Sequence, residues 1–88
     1  MLSNLIEMAF QEKRPRKLAD LELQECARVR HVGGAGAMSV RLLEMGFGPG
    51  VEVALVKRAP FGDPLELRLR GYHVSLRRAE ASLVEVEG

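Results

Sequence analysis

Val51-Glu52-Val53-Ala54-Leu55, then Pro60-Phe61-Gly62-Asp63-Pro64, then Leu65-Glu66-Leu67-Arg68-Leu69: these three blocks decide the fold. In the first, Val51, Val53 and Leu55 alternate with Glu52 and Ala54. A period of two turns successive side chains to opposite faces, which is the signature of a half-buried strand. In the third, Leu65, Leu67 and Leu69 face inward and Glu66, Arg68 and Arg70 outward. The middle block is turn chemistry, with two prolines to fix φ and a Gly-Asp pair able to reverse the chain. The whole reads as a hairpin with a stiff loop.

Downstream, Gly71-Tyr72 turns the chain again, Val74 and Leu76 point in, and Ser75 and Arg77 point out. Arg78 to Ser82 makes one helical turn, and Val84 and Val86 form a last short strand. Upstream, Ala27, Val29 and His31 share one face of a strand and Cys26, Arg28 and Arg30 the other. Gly33, Gly34 and Gly36 break that pattern. Ala37–Met45 then reads as a helix of about two turns, with Gly46 placed for the left-handed C′ position. Met38, Leu42 and Met45 form its apolar stripe, and Arg41 and Glu44 have i,i+3 spacing. Five short strands between Gly/Pro turns, with one inserted helix, predict a mainly β protein: a small SH3-like barrel whose closure removes exposed edges.

Residues 4 to 13 carry a second helical signal. Asn4 and Glu7 have capping-box spacing, and Leu5, Ile6, Ala9 and Phe10 fall on one stripe. Pro15 stops this helix, and Lys13, Arg14, Arg16 and Lys17 make a basic connector. The expected organisation is therefore an extension over residues 1–17 and a barrel over 18–88. Ten residues are marginal as an isolated helix in water, so Leu5, Ile6 and Phe10 are expected to pack on the barrel or across a homo-oligomer contact. A membrane-surface role is the competing reading.

Composition narrows the function classes. The chain has 88 residues, 47% hydrophobic and 28% charged, which are globular proportions for one small domain with little room for a deep active site. A net charge of +1 singles out neither nucleic acid nor membrane as partner. The single cysteine, Cys26, can form no internal disulfide, which fits a reducing compartment. Glu7, Gln11 and Glu12 interrupt the N-terminal hydrophobics where a signal peptide would need an apolar run, and no stretch approaches a membrane span. A cytoplasmic protein is expected, touching membrane only through a partner.

No catalytic constellation is legible, so an enzyme is not expected. Ser39 and Ser75 lack a recognisable His partner, and Gly33-Gly34-Ala35-Gly36 precedes a helix without the lysine of a phosphate-binding loop. Nor is a cofactor or metal site expected. Regular alternation sends Cys26 and His31 to opposite faces, and His73 points outward with Ser75 while His31 points inward. Arg28, Arg30, Arg68, Arg70, Arg77 and Arg78 point outward, with Arg58 a candidate to join them. Without tryptophan, and diluted by Glu52, Glu66 and Glu85, this reads as a solvated or protein-facing surface and not a nucleic-acid groove.

Two features suit recognition. Val40 and Leu43 lie off the face of Leu42 and Met45, so they and the adjacent Arg41 could receive a partner; the alternative is a helix wholly buried as a barrel plug. The loop could present Phe61, beside Asp63, at low entropic cost, or could be structural only.

Arg41-Leu42-Leu43-Glu44-Met45-Gly46-Phe47 followed by Pro49-Gly50-Val51 resembles the most recognisable segment of the FeoA family. Ala59-Pro60-Phe61-Gly62-Asp63-Pro64 is similar to that family's hairpin loop. Gly71-Tyr72-His73-Val74-Ser75-Leu76-Arg77, with Glu80-Ala81, is similar to its final strands. The resemblance runs from about Leu18 to Glu87. Where the family often has Pro-Gly before the first strand, this chain has Leu23-Gln24, and a differently built turn is expected there.

The resemblance implies an SH3-like domain that supports ferrous iron uptake by docking on the cytosolic G domain of the membrane transporter FeoB. Transition-metal binding enters only at the level of the family. Two rival readings stand beside it: a metal-linked regulatory barrel like the C-terminal domain of iron-dependent repressors, and activation of the partner's GTP hydrolysis by an inserted arginine such as Arg41.

Overall fold

Two hairpins in succession organise the molecule. The structure, a computed structural model, describes residues 15–87. Strand β3 (Glu52–Arg58) pairs antiparallel with β4 (Leu65–Leu69), which pairs antiparallel with β5 (Tyr72–Leu76). The other strands are β1 (Arg16–Lys17), β2 (Cys26–Val32) and β6 (Val84–Val86). Helix α1 is Ala37–Glu44, and the single turn α2 is Arg78–Ala81. The sheet runs β1-β6-β2-β3-β4-β5, and every pairing is antiparallel.

Strand β2 belongs to both halves of this sheet. Cys26, Ala27 and Arg28 pair with β3, whereas Val29, His31 and Val32 pair with β6, with a register shift between Val29 and His31. Such a bulge bends the strand and raises its twist, which lets one sheet curl over its own core. Leu55, Leu65, Leu67, Leu69, Val84 and Val86 are buried inside. The inward leucines expected in the central hairpin are therefore the heart of the core.

The bulge also corrects one expectation. His31 does not point inward with Val29; it is 57% exposed, with Nε2 3.4 Å from a Glu85 carboxylate oxygen. An extra residue shifts alternation by one, so half-buried Val32 takes the inward role instead.

Arg16 and Lys17, read as the end of a connector, are a sheet strand opposite Val86 and Glu85. Arg16 holds Glu25 through two contacts of 2.5 and 2.6 Å. The Glu25 carboxylate also accepts the Glu22 N–H at 2.9 Å. The guanidinium, then that amide, hold the Glu25 carboxyl below its ordinary value, and Glu25 in turn raises Arg16. A one-turn 3-10 helix, Leu18–Asp20, buries Leu18, and the Asp20 carboxylate accepts the Lys17 N–H at 2.9 Å. Gln24 takes φ of 69°, a value that favours glycine, while its N–H reaches the Leu55 carbonyl at 2.6 Å. The N-terminal helix, with Leu5, Ile6 and Phe10, lies outside the described residues.

Candidate protein-docking surface

Helix α1 is fastened at both ends. Near its start the Ser39 hydroxyl donates to the Gly33 carbonyl at 2.8 Å, which satisfies a side chain that is itself buried. At its end the Gly46 N–H reaches the Leu43 carbonyl and the Phe47 N–H reaches the Leu42 carbonyl, each at 3.1 Å. With Gly46 at φ of 111°, this is a Schellman termination, and the hydrophobic pair that accompanies one is Leu42 with Phe47, both fully buried. Gly46 is required for a second reason. A Cβ there would lie 2.5 Å from the Tyr72 hydroxyl oxygen, and that hydroxyl donates to the Met45 carbonyl at 2.6 Å. Tyr72 thus locks the helix end to the first residue of β5.

The buried face of α1 is Ser39 and Leu42, with Met45 half-buried. Met38, expected on the inner stripe, is instead 44% exposed. Ser39 replaces it because its hydroxyl finds a backbone acceptor at the Gly-rich entry. Val40 is 54% and Leu43 49% exposed, so the helix is not a wholly buried plug. At 100° per residue these two lie about 60° apart on one flank, whereas Arg41 lies about 160° from Leu43. Arg41 does not join them. Its guanidinium reaches across to the Glu80 carboxylate at 3.4 Å, and the spacing with Glu44 is not used as an ion pair.

The loop between β3 and β4 is closed by the Ala59 N–H on the Pro64 carbonyl at 3.1 Å and the Gly62 N–H on the Ala59 carbonyl at 2.7 Å. Its crest carries Phe61, 99% exposed. Asp63 points the other way: its carboxylate accepts the Arg78 N–H at 3.0 Å. Turn α2 therefore touches both features, the loop through Arg78 and α1 through Glu80. Glu80 also accepts the Arg77 N–H at 2.8 Å, so this carboxylate is satisfied where it is buried.

Of the outward arginines, Arg28, Arg30, Arg68, Arg70, Arg77 and Arg78 are exposed. Arg58 is not among them; it is half-buried and donates to the Leu21 carbonyl, tying β3 to the chain that leads into β2. His73 pairs with Glu66 at 3.0 Å on the outer face, and Cys26 is exposed. Among the described residues no group of three or more His, Cys, Asp or Glu side chains could hold a metal ion, and no helix is long and apolar enough to cross a membrane.

A family model described as the FeoA domain matches residues 16–88. A FeoA/FeoB fusion protein of Porphyromonas gingivalis, named as Fe(2+) transport protein A joined to the Fe(2+) transporter FeoB, is 41% identical over 71 residues. That match takes in 81% of this chain and 8% of the fusion, so the chain spans a small part of that relative's length. Solved structures are similar as well. The FeoA-like protein of Clostridium acetobutylicum has a TM-score of 0.77 at 34% identity, over 83% of this chain and 85% of that one. The FeoA of Stenotrophomonas maltophilia, an SH3-domain protein solved with zinc, has a TM-score of 0.75 at 34% identity, over 82% and 89%. A manganese-dependent transcriptional repressor shares the fold at a TM-score of 0.75 and 17% identity.

Proposed function

The chain belongs to the FeoA family, a family associated with ferrous iron transport, and from that premise we propose that it is a non-enzymatic docking module. It acts in the cytoplasm, where it binds the cytosolic part of a FeoB-type transporter and supports ferrous iron uptake. The observation that carries this reading is the exposed apolar flank of Val40 and Leu43 on a helix whose other face is anchored in the core. Large side chains held rigidly in water cost little entropy on binding. Phe61, on a loop closed by backbone hydrogen bonds, adds an exposed aromatic anchor, and aromatic anchors carry a disproportionate share of interface energy. The Porphyromonas fusion supports the choice of partner, since there the two proteins are one chain.

The roles within the surface differ. Val40, Leu43 and Phe61 are the contact residues. Arg41 and Asp63 hold α2 against the two features and contribute to contact only at its rim.

Titration calorimetry of the full chain into the cytosolic region of a FeoB-type transporter tests this. Binding is expected, and Leu43→Asp is expected to weaken it at least tenfold with the far-UV circular dichroism spectrum unchanged. Equal affinity of the variant, or no binding by either form, would refute the docking face.

A second reading, stimulation of GTP hydrolysis by Arg41, has one observation in its favour: the guanidinium is at the surface and, among the described residues, is held by Glu80 alone, from 3.4 Å. Single-turnover GTP hydrolysis with Arg41→Ala separates it from docking.

A further inference from the structure

Strand β5 is an outer edge of the sheet. Among the described residues no backbone hydrogen bond outside its pairing with β4 involves Tyr72 to Leu76. Which groups face away follows from the turn. Leu69 pairs with Tyr72 across Arg70 and Gly71, whose φ values of 51° and 82° make a two-residue type I′ hairpin. In such a hairpin the flanking pair is hydrogen-bonded, and pairs then alternate along the ladder. Leu69–Tyr72, Leu67–Val74 and Leu65–Leu76 are hydrogen-bonded pairs, whereas Arg68–His73 and Glu66–Ser75 are not. The N–H and C=O of His73 and of Ser75 therefore point outward, along an edge that no other strand of the described residues pairs.

The two outer edges of this sheet are treated differently. Strand β1 has two residues, both basic, and follows a proline, and these are three of the ordinary protections against edge pairing. Strand β5 has five residues, keeps regular register with β4, and contains no lysine, proline or acidic residue. Its sequence is also self-complementary. Set antiparallel to itself about Val74, it places His73 opposite Ser75, Tyr72 opposite Leu76, and Val74 opposite its own copy. The outward-facing groups of His73 and Ser75 are then the ones that meet, giving four hydrogen bonds, with Val74 at the close, non-hydrogen-bonded position on the two-fold axis. No like charges oppose one another within the five residues.

We propose that β5 is a self-association edge, which joins two copies of this chain antiparallel about Val74 into one continuous sheet. The contact uses neither Val40, Leu43 nor Phe61, so it does not depend on the docking reading. A five-residue edge is small beside a standard interface, so the dimer is weak, with Kd on the order of 10–100 µM.

Sedimentation velocity of the full chain between about 10 µM and 1 mM, a span that brackets this Kd, is expected to show a concentration-dependent shift from monomer to dimer. Ser75→Pro removes an N–H that β4 does not use, so it is expected to leave the monomer folded and to weaken association at least tenfold. His73→Lys with Ser75→Lys, which adds charge to the edge without touching the backbone, is expected to do the same and stands in should the proline disturb the fold. A chain that stays monomeric throughout, or folded edge variants that associate as well as the wild type, would overturn the proposal.

Discussion

Replacing Gly46 by alanine strikes the joint between α1 and β5 in two ways that can be separated. The backbone φ of 111° disfavours any residue with a Cβ, at a cost of about 1–2 kcal/mol. The new methyl would also sit 2.5 Å from the Tyr72 oxygen, so the ring must move and its bond to the Met45 carbonyl is lost, at a further cost of about 0.5–1.5 kcal/mol. Gly46→Ala should therefore destabilise by about 1.5–3.5 kcal/mol, a large fraction of what a small domain possesses. Tyr72→Phe alone removes only the hydrogen bond and should cost about 0.5–1.5 kcal/mol. The double variant should cost less than the sum by about 1 kcal/mol, because without the hydroxyl the alanine has neither a bond to break nor an oxygen to displace. Urea denaturation of the four proteins, with unchanged m-values as the check on two-state behaviour, measures the cycle. Strict additivity, or a Gly46→Ala cost below about 0.5 kcal/mol, which is the usual size of an inconsequential surface change, would refute this account of the helix end.

Gln24→Gly should stabilise by about 0.5–1 kcal/mol, since relief of the φ of 69° outweighs glycine's greater freedom when unfolded, and thermal melting would show it. The Arg16–Glu25 pair gives a pH signature. The folded Glu25 value is depressed, so its contribution is present above the ordinary glutamate value and is lost as pH falls through the lower folded value. The pair is part-exposed, so Arg16→Gln should cost no more than about 1 kcal/mol at neutral pH, and that difference should vanish in acid; a difference constant with pH would contradict it. Phe61→Ala should change stability by less than about 0.5 kcal/mol, because the ring is 99% exposed and buries nothing, while weakening partner binding. A large fall in unfolding midpoint would show that the ring packs on the protein.

The parts of the fold that were legible share one cause: they are repeated by regular alternation or punctuated by glycine. Leu65, Leu67 and Leu69 announced the core strand because three inward leucines in five residues suit nothing else. Gly46 announced the end of α1 because it closes an apolar run ahead of a turn. Strand β1 was invisible, since two residues carry no period and Arg-Lys resembles a connector. The outward turn of His31 is hidden because a bulge leaves no mark in a sequence that otherwise alternates. Met38 and Ser39 exchanged roles because a hydrogen bond to Gly33, a tertiary detail, outbid hydrophobicity. The sequence marks Tyr72 only as a turn residue; its spacing from Gly46 holds no local signal, and only the approach of β5 to α1 makes the two partners. On the candidate surface, the surplus of apolar positions on α1 and the offset of Arg41 from Leu43 follow from helical spacing alone, but the partner of Arg41 does not, because Glu80 comes from a distant turn.

The docking face is tested most directly by nuclear magnetic resonance of the full chain titrated with the cytosolic region of a FeoB-type transporter. The account predicts that amide and methyl shifts concentrate at Val40, Leu43 and Phe61, with the outer-face residues Cys26, Arg68 and His73 unmoved. Shifts confined to that outer face, or none at saturating partner, would contradict it.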